Sequence, residues 1–209
     1  MDLLAALGHK ADDPEVRAAA LAALGKLADL RGLQVMTIGV RDSDVTVRVA
    51  AVHALGNMTN DVAFAAIAGA LADSDAGVRG AAAETLAAGR GSAVTTDALV
   101  QALNEEADVG VRRSVALALG KLEDERARRR LVAALAGEPE AAVRLAALSS
   151  LDAGNGSKLQ ILRVAGGVQN LKVTLAGANR TLLHSPILPE AALPFAFCSL
   201  GRSAPLGLG

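Results

Sequence analysis

Aromatic residues are almost absent from this sequence: its 209 residues include no tryptophan, no tyrosine and three phenylalanines. Phe64 is the one aromatic residue before residue 153. Sites that bind single-stranded nucleic acid stack the bases on aromatic side chains. The sequence therefore lacks the platform that such a site needs, and we expect no nucleic acid among its partners.

An excess of basic residues is also missing. The chain has 21 basic and 22 acidic residues, for a net charge of −1. Residues 153–209 contribute five basic residues and one acidic residue, so residues 1–152 carry a net charge of −5. A mildly acidic region without a basic stripe is a poor electrostatic match for a phosphate backbone. The charge balance supports the same exclusion of nucleic acid.

The densest run of charge, Lys121–Arg130, contains both signs. Its residues lie at the i,i+3 and i,i+4 spacings that let opposite charges pair on an exposed helix face. The predicted pairs are Glu123 with Arg126, Asp124 with Arg128, and Glu125 with Arg129. A patch for phosphate or for an acidic partner is the alternative interpretation.

Disulfides and membrane spans are excluded by two further absences. Cys198 is the single cysteine, so no internal disulfide can form, and we expect an inert thiol. The sequence has no run of 18 apolar residues that is uninterrupted by a charged residue, so we expect no membrane-spanning helix. The start of the sequence lacks a basic segment followed by a small-residue cleavage site, so we expect no signal peptide and a cytoplasmic location.

What the sequence does contain is a repeat. Asp44–Gly56 reads Asp-Val-Thr-Val-Arg-Val-Ala-Ala-Val-His-Ala-Leu-Gly. Four further copies are recognisable at Asp13–Gly25, Asp75–Ala87, Asp108–Gly120 and Glu140–Asp152. Each copy holds a Val-Arg pair at the same offset, and the arginines are Arg17, Arg48, Arg79, Arg112 and Arg144. Their separations of 31, 31, 33 and 32 residues are typical of a solenoid of stacked two-helix units.

The ends of each copy predict a helix. Asp13 can accept hydrogen bonds from the free amides of a first turn, and Pro14 suits the first helical position, where no amide donor is needed. An apolar stripe of Val16, Ala20, Leu24 and Leu27 follows at helical spacing. Gly25, Gly56 and Gly120 follow or accompany the last core leucine, where we expect left-handed helix caps. Ala87 and Asp152 replace that glycine, so we expect frayed or extended ends there.

Each repeat also needs a partner helix, since an amphipathic helix must bury its apolar face against another element. The candidate partner helices are Asp2–Leu7, Leu30–Val40, Asp61–Leu71, Ala93–Leu103 and Glu123–Leu135. Together with the copies above they give five helical pairs in residues 1–152, which we predict to be the repeat array.

The motif Asp-x-x-Val-Arg-x-x-Ala-x-x-x-Leu-Gly at a period near 31 resembles the short HEAT-like repeat of the phycobilisome-lyase type, over roughly residues 1–152. The resemblance implies an all-α fold, a right-handed α-solenoid of about five HEAT-like pairs. Proteins with such repeats include regulatory scaffolds and bilin lyase subunits. We expect a non-catalytic scaffold that binds a protein partner. A bilin lyase subunit or a lyase-associated chaperone is the alternative, and no catalytic residue carries over from the repeat motif.

Enzymatic relatives with this fold can be tested against the residues. Hydroxylases of the deoxyhypusine type bind two irons through His-Glu pairs, since histidine and carboxylate ligands suit non-haem iron. The three histidines here occur as His9-Lys10, His53-Ala54 and His184-Ser185. None forms such a pair, so we expect no metal, no cofactor and no catalytic residues.

A binding surface is expected on the outward positions of the second helices, which stack along the concave side of a superhelix. Two rows of equivalent positions result: Ala18, Val49, Gly80, Arg113, Leu145, and Ala22, His53, Glu84, Leu117, Ser149. His53, Glu84 and Arg113 are the candidate binding residues. His53 and Glu84 occupy equivalent positions in neighbouring repeats. A weak metal or general-base site is one interpretation of them, and a solvated contact is the one we favour.

The five repeat arginines each lie four residues after a helix-capping acid. We predict that they form a ladder between repeats, bonded to those acids or to loop carbonyls, rather than a ligand site.

The period is lost in residues 153–209, a C-terminal extension, and the breaker cluster Asp152–Ser157 lies at its start. The runs Leu159–Val164, Leu171–Leu175 and Phe195–Leu200 are β-prone or irregular, and Lys158–Val164 could instead add a last helical turn or two. A truncated β domain, a disordered extension and out-of-frame translation are the open explanations. We expect no sheet of three strands and a poorly packed appendage.

Overall fold

A computed structural model describes residues 2–88, 93–122, 124–153, 158–163, 169–175 and 178–182. Ten α-helices occupy the first three of these ranges. They are α1 (Asp2–Lys10), α2 (Pro14–Leu27), α3 (Leu33–Gly39), α4 (Val45–Gly56), α5 (Asp61–Gly69), α6 (Ala76–Ala88), α7 (Ala93–Glu105), α8 (Val109–Gly120), α9 (Glu125–Gly137) and α10 (Ala141–Ala153). Short 3-10 turns at Leu30–Gly32 and Ala70–Ala72 precede α3 and follow α5.

The helices form two layers. The odd-numbered first helices pack on one another in chain order, the even-numbered second helices do the same, and each first helix packs on the second helix that follows it. This arrangement is an α-solenoid of five helical pairs, as the repeat predicts. Among the described residues, no helix is both long enough and apolar enough to cross a lipid bilayer.

Equivalent leucines form the core of the second layer. Leu24, Leu55, Leu86, Leu119 and Leu151 stand at the same motif position, and all five are buried. Burying a leucine side chain stabilises a fold by roughly 1.5 to 3 kcal/mol, so this row contributes strongly to cohesion between the pairs.

The predicted stripe of α2 is only partly buried. Ala20 and Leu24 are in the core, but Val16 is 39% exposed and Leu27 is 56% exposed. These two residues lie in the first and last turns of a 14-residue helix whose partner α1 has nine residues. The apolar side chains at the two ends of α2 are therefore less buried than those in its middle.

The predicted N-caps are present. The side chains of Asp13, Asp44, Asp75 and Asp108 each accept a hydrogen bond from a backbone amide two or three residues later. Pro14 is the first residue of α2. The sequence was therefore sufficient to predict where each of these helices begins, because an N-cap hydrogen bond joins residues that are close neighbours in the chain.

The predicted role of the glycines was wrong. Helix α2 continues past Gly25 and ends before Ala28, which has the left-handed φ of 48°. Asn57 and Lys121 follow Gly56 and Gly120 with φ of −80° and −83°, in the right-handed region. These glycines instead permit close packing between second helices: Gly25 contacts Ala54, Gly56 contacts Thr85, and Gly120 contacts Ser150. The positions equivalent to these glycines hold Ala87 in α6 and Asp152 in α10, and each of these two helices ends one residue after that position.

Beyond the helices, the described residues form a three-stranded antiparallel sheet in the order β1-β2-β3. Its strands are β1 (Lys158–Arg163), β2 (Gln169–Leu175) and β3 (Ala178–Leu182). Lys158 pairs with Thr174 in the β1-β2 register, and Leu175 pairs with Ala178 in the β2-β3 register.

The sheet corrects two expectations. The β-prone runs Leu159–Val164 and Leu171–Leu175 do contribute strands, but the alternative of further helical turns from Lys158 was wrong, and so was the expectation of no three-stranded sheet. Strand β3 was overlooked, although two residues separate it from β2, a spacing typical of a hairpin. Phe195–Leu200 and Cys198 lie outside the described residues. The domain boundary after residue 152 stays a prediction.

Candidate interaction surface

The repeat arginines make a recurring set of contacts at the junctions between pairs. Arg17 donates from Nε and Nη2 to the two carboxylate oxygens of Asp42, at 2.9 and 2.8 Å. Its Nη1 donates to the carbonyl oxygens of Ala11 and Asp12, at 2.8 and 3.1 Å. The planar guanidinium thus joins one helical pair to the acid of the next and also closes the turn before its own helix.

The same pattern continues along the array. The carboxylate pairs are Arg17 with Asp42, Arg48 with Asp73, Arg79 with Glu106, and Arg112 with Glu138. Each acid also accepts a bond at its backbone carbonyl from the arginine six residues later: Asp42 from Arg48, Asp73 from Arg79, Glu106 from Arg112, and Glu138 from Arg144. We call these residues the arginine–acid ladder. Its contacts run without a gap from Arg17 to Arg144.

The carboxylate partners differ from those that we expected. The capping acid Asp44 binds the first amides of its own helix, and the partner of Arg17 is Asp42, two residues before that cap. The backbone amide of Asp44 donates to the Asp42 carboxylate as well, at 2.9 Å. A sequence signal existed, since an acid stands six residues before Arg48, Arg79, Arg112 and Arg144.

The ladder lowers the pKa values of three acids, Asp42, Asp73 and Glu106. Hydrogen bonds from Arg17 hold the pKa of Asp42 below its usual value, and those from Arg79 do the same for Glu106. For Asp73, burial is the largest single effect and raises the pKa. The bonds from Arg48 and from the Asp75 amide together outweigh it, so that the pKa of Asp73 is also lowered. The carboxylates are therefore ionised at neutral pH.

The candidate binding residues lie on the exposed side of the second helices, which we call the second-helix face. His53 on α4, Glu84 on α6 and Arg113 on α8 are all exposed. The Nδ1 atom of His53 lies 3.4 Å from Thr85 Oγ1, and Glu84 accepts a bond of 3.4 Å from Ser114 Oγ. No hydrogen bond or ion pair among the described residues joins these three candidates to one another.

A cleft opens on this face across the last three second helices. Its volume is about 520 Å³, within the range of 300 to 1,000 Å³ that is typical of binding pockets. The lining comes from α6, α8, the residue after α8, and α10: Glu84, Ala87, Ser114, Leu117, Ala118, Gly120, Lys121, Ser149 and Ser150. Glu84, Leu117 and Ser149 belong to one predicted row, whereas His53 and Arg113 do not line the cleft.

Sequence reasoning missed Ser114 and Lys121 as parts of this surface. Ser114 lies three residues before Leu117 on the same face of α8. Lys121, the residue after α8, lies four residues after Leu117 and continues that face. Helical spacing from Leu117 was the signal that would have identified them. Lys121 was instead grouped with the charged run that follows it.

The charged run is paired in a pattern that differs in part from the prediction. Arg129 bonds Glu125 at 3.3 Å, as predicted, but Arg128 also bonds Glu125, at 3.5 Å. Asp124 is the N-cap of α9 and binds Arg126 at 2.8 Å, not Arg128. The hydrogen bonds from Arg126 lower the pKa of Asp124 to about 2. Glu123 lies outside the described residues.

In the described part of the chain, no three His, Cys, Asp or Glu residues lie together in a group that could hold a metal ion.

Comparisons with known proteins concern the helical array. The family of HEAT repeats matches residues 1–87 and 65–152, which together span residues 1–152. The chain has no significant match among the curated proteins.

Three solved structures are similar to the chain at low sequence identity. A chain in the complex of CpcE and CpcF of phycocyanin lyase from Nostoc sp. PCC7120 has 21% identity and a TM-score of 0.56, over 71% of this chain and 95% of that one. An engineered protein has 22% identity and a TM-score of 0.51, over 73% and 78%. Human deoxyhypusine hydroxylase in complex with glycerol has 20% identity and a TM-score of 0.46, over 73% and 72%.

Proposed function

Because the chain belongs to the family of HEAT repeats, we propose that it is a non-catalytic scaffold that binds a protein partner on its second-helix face. The observation that carries this proposal is the cleft of about 520 Å³ that spans α6, α8 and α10. A surface built by three successive repeats presents side chains from each repeat at fixed spacing. Such a surface suits an elongated protein segment.

The burial of the ladder side chains and the exposure of the side chains on the second-helix face support the same proposal. The side chains of the ladder pairs are largely buried; for example, 11% of each side chain is exposed in the Arg48–Asp73 pair. We therefore propose a structural role for Arg17, Arg48, Arg79, Arg112 and Arg144. The exposed side chains of the second-helix face, including His53, Glu84 and Arg113, are left for the partner.

A lyase-associated role is the second candidate. The observation in its favour is the similarity of fold to a chain of the CpcE and CpcF complex of phycocyanin lyase. A bilin lyase subunit or a lyase-associated chaperone would bind a bilin or a client protein on the same face. Titration of the chain with a free bilin separates this candidate from the first, because binding of a bilin shifts its visible absorbance spectrum.

The test of the scaffold proposal is affinity purification from the native host with a blocked cleft. Ser149→Arg places a long side chain at an exposed cleft position, and Ala133→Arg places the same side chain at an exposed position of α9, in the other layer. We expect the parent and Ala133→Arg to retain the same protein partner, and Ser149→Arg to lose it. Retention by Ser149→Arg would show that the partner does not use this face.

The proposal includes a cytoplasmic location and excludes nucleic acid and membrane as partners. Cell fractionation tests the location. Retention of the partner after nuclease treatment tests the exclusion of nucleic acid, since an association through nucleic acid would be lost.

A further inference from the structure

Side chains of opposite charge lie at the two ends of the cleft along α8. Ser114, Leu117 and Lys121 line it at spacings of three and four residues, on one side of the helix. A rise of 1.5 Å per residue places Ser114 and Lys121 roughly 10 Å apart along the axis. Glu84 bonds Ser114 and so lies at the opposite end from Lys121. The cleft therefore has an acidic end, an apolar middle at Leu117 and a basic end.

Neither end charge is neutralised within the described structure. Glu84 and Lys121 are both exposed, and no ion pair with either is present among the described residues. The acids Glu106, Glu138 and Glu125, by contrast, are paired with arginines. Two unpaired charges of opposite sign at the ends of one cleft give it a direction that an occupant can match.

We propose that the occupant is an extended segment of the protein partner with a basic residue, an apolar residue and an acidic residue at alternate positions. The basic residue lies against Glu84, the apolar residue over Leu117 and the acidic residue against Lys121. This inference rests on the proposed function and names the chemistry that the partner presents to the cleft.

The distance between the charged ends of the cleft suits an extended segment. Alternate residues of an extended chain point to the same side, so positions i, i+2 and i+4 span about 13 Å. This span matches the axial distance of roughly 10 Å plus the reach of the Lys121 side chain.

Two synthetic peptides of identical composition test the proposal. The forward peptide contains Lys-Ser-Leu-Ser-Glu and the scrambled peptide contains Lys-Glu-Leu-Ser-Ser, whose two charges are adjacent, each with blocked ends and a fluorescent label on a glycine linker. Both are titrated against the full chain by fluorescence anisotropy, with amide chemical-shift mapping of the binding site. A third peptide presents the same charges seven residues apart on an alanine-based helix.

Each pair of exposed opposite charges contributes modestly, so we expect the forward peptide to bind at least about threefold more tightly than the scrambled one, which cannot place its two charges at opposite ends of the cleft. The shift changes should centre on Leu117, Lys121 and Ser149. A chain with the charge exchange Lys121→Glu, which makes both ends of the cleft acidic, should lose this preference. A matched chain with Lys10→Glu, which makes the same charge change at an exposed position away from the cleft, should keep it.

Equal binding of the two extended peptides, or an unchanged preference after the charge exchange, would overturn the proposal. Tighter binding of the helical peptide than of the forward one would overturn its extended form. Failure here is distinguishable from failure of the scaffold proposal. If Ser149→Arg loses the native partner while the charge exchange leaves its binding intact, the face binds a partner but does not read this order of charges.

Discussion

Gly25 of α2 lies directly against the backbone of Ala54 in α4: a Cβ atom added to Gly25 would be 2.6 Å from the Ala54 Cα atom. A backbone atom cannot rotate away as a side chain can, so the two helices would have to separate. We expect Gly25→Ala to lower the free energy of unfolding by roughly 1 to 3 kcal/mol, as overpacking does. Urea denaturation followed by circular dichroism measures the change.

Gly80→Ala is the matched control and should have the opposite sign. Gly80 lies inside α6, and a Cβ atom added there would meet no atom within 4 Å. Alanine inside a helix is favoured over glycine by about 0.5 to 1 kcal/mol, so this variant should be more stable than the parent. If both substitutions stabilised the chain, the packing explanation for Gly25 would be wrong.

The ladder should be sensitive to the loss of one partner. Arg79 donates to Glu106 from Nε and Nη2, at 2.6 and 2.9 Å, and 6% of the Glu106 side chain is exposed. Arg79→Ala leaves this carboxylate without its counter-charge in a largely buried place. We expect a loss of roughly 2 to 4 kcal/mol, seen as a lower melting temperature.

Arg113→Ala is the control for Arg79→Ala, because Arg113 is an exposed arginine on a second helix. Its melting temperature should stay close to that of the parent. Combining Arg79→Ala with Glu106→Gln should cost less than the sum of the two single changes, since both remove the same interaction. A variant Arg79→Ala that melts like the parent and loses its protein partner would place the arginines in the binding function.

Stability should fall in acid. The folded pKa values of Asp42, Asp73 and Glu106 lie below the usual values of 3.8 and 4.5, so the unfolded chain binds protons more readily than the folded chain. The stabilising effect of these groups is complete above the unfolded pKa values and is lost as pH falls through the lower folded values. Denaturant midpoints should be level near neutral pH and decrease below about pH 4.5.

Asp73→Asn tests the origin of this pH dependence. The amide cannot ionise, so the variant should be less stable at pH 7 and should lose less stability between pH 5 and pH 3 than the parent does. An identical pH profile in the two proteins would exclude Asp73 as a contributor.

Residues 158–209 should add little to the stability of the array. Among the described elements, the strands pack mainly on one another and not on the helices. A chain ending at Ser157 should keep the helical circular dichroism signal and melt within about 3 °C of the full chain. A larger decrease, or loss of the protein partner, would make the C-terminal extension an integral part of the molecule.

Signals between close neighbours in the chain predicted most of the array. Asp44, for example, caps amides two and three residues away, and the apolar positions repeat within single turns. Such features depend on local geometry, which the sequence displays directly. The five pairs, their boundaries to within a few residues and the four aspartate caps could all be predicted for this reason.

The errors concern contacts between distant residues. Glycine after a core leucine is typical of a helix cap and also of close helix packing, and the Ala54 that decides between them for Gly25 is 29 residues away. Arg17 likewise binds an acid 25 residues further on. The three-stranded sheet depends on the pairing of β2 with β3, which periodicity within a single run cannot display.

The cleft shows the same division. Glu84 and Leu117 were predicted to share a row because their positions in the repeat are equivalent. Helical spacing places Lys121 on the same side as Leu117, but the combination of Lys121 with Glu84 in one cleft depends on the packing of α6 against α8, which the pattern within one helix does not show. His53, in an equivalent position one repeat earlier, lies outside the cleft lining.

Each arginine of the arginine–acid ladder bonds an acid of the next repeat, and that acid lies six residues before the next arginine. The whole repeat is therefore the unit in which the protein can change length. Removal of residues 49–79, thirty-one in all, would put Arg48 in the place of Arg79 and within reach of Glu106. No charge would lose its partner and every helix would keep its face. Removal of thirty residues would rotate the following helix by about 100° and bring its polar side into the core. The gene can therefore lengthen or shorten this array by whole repeats.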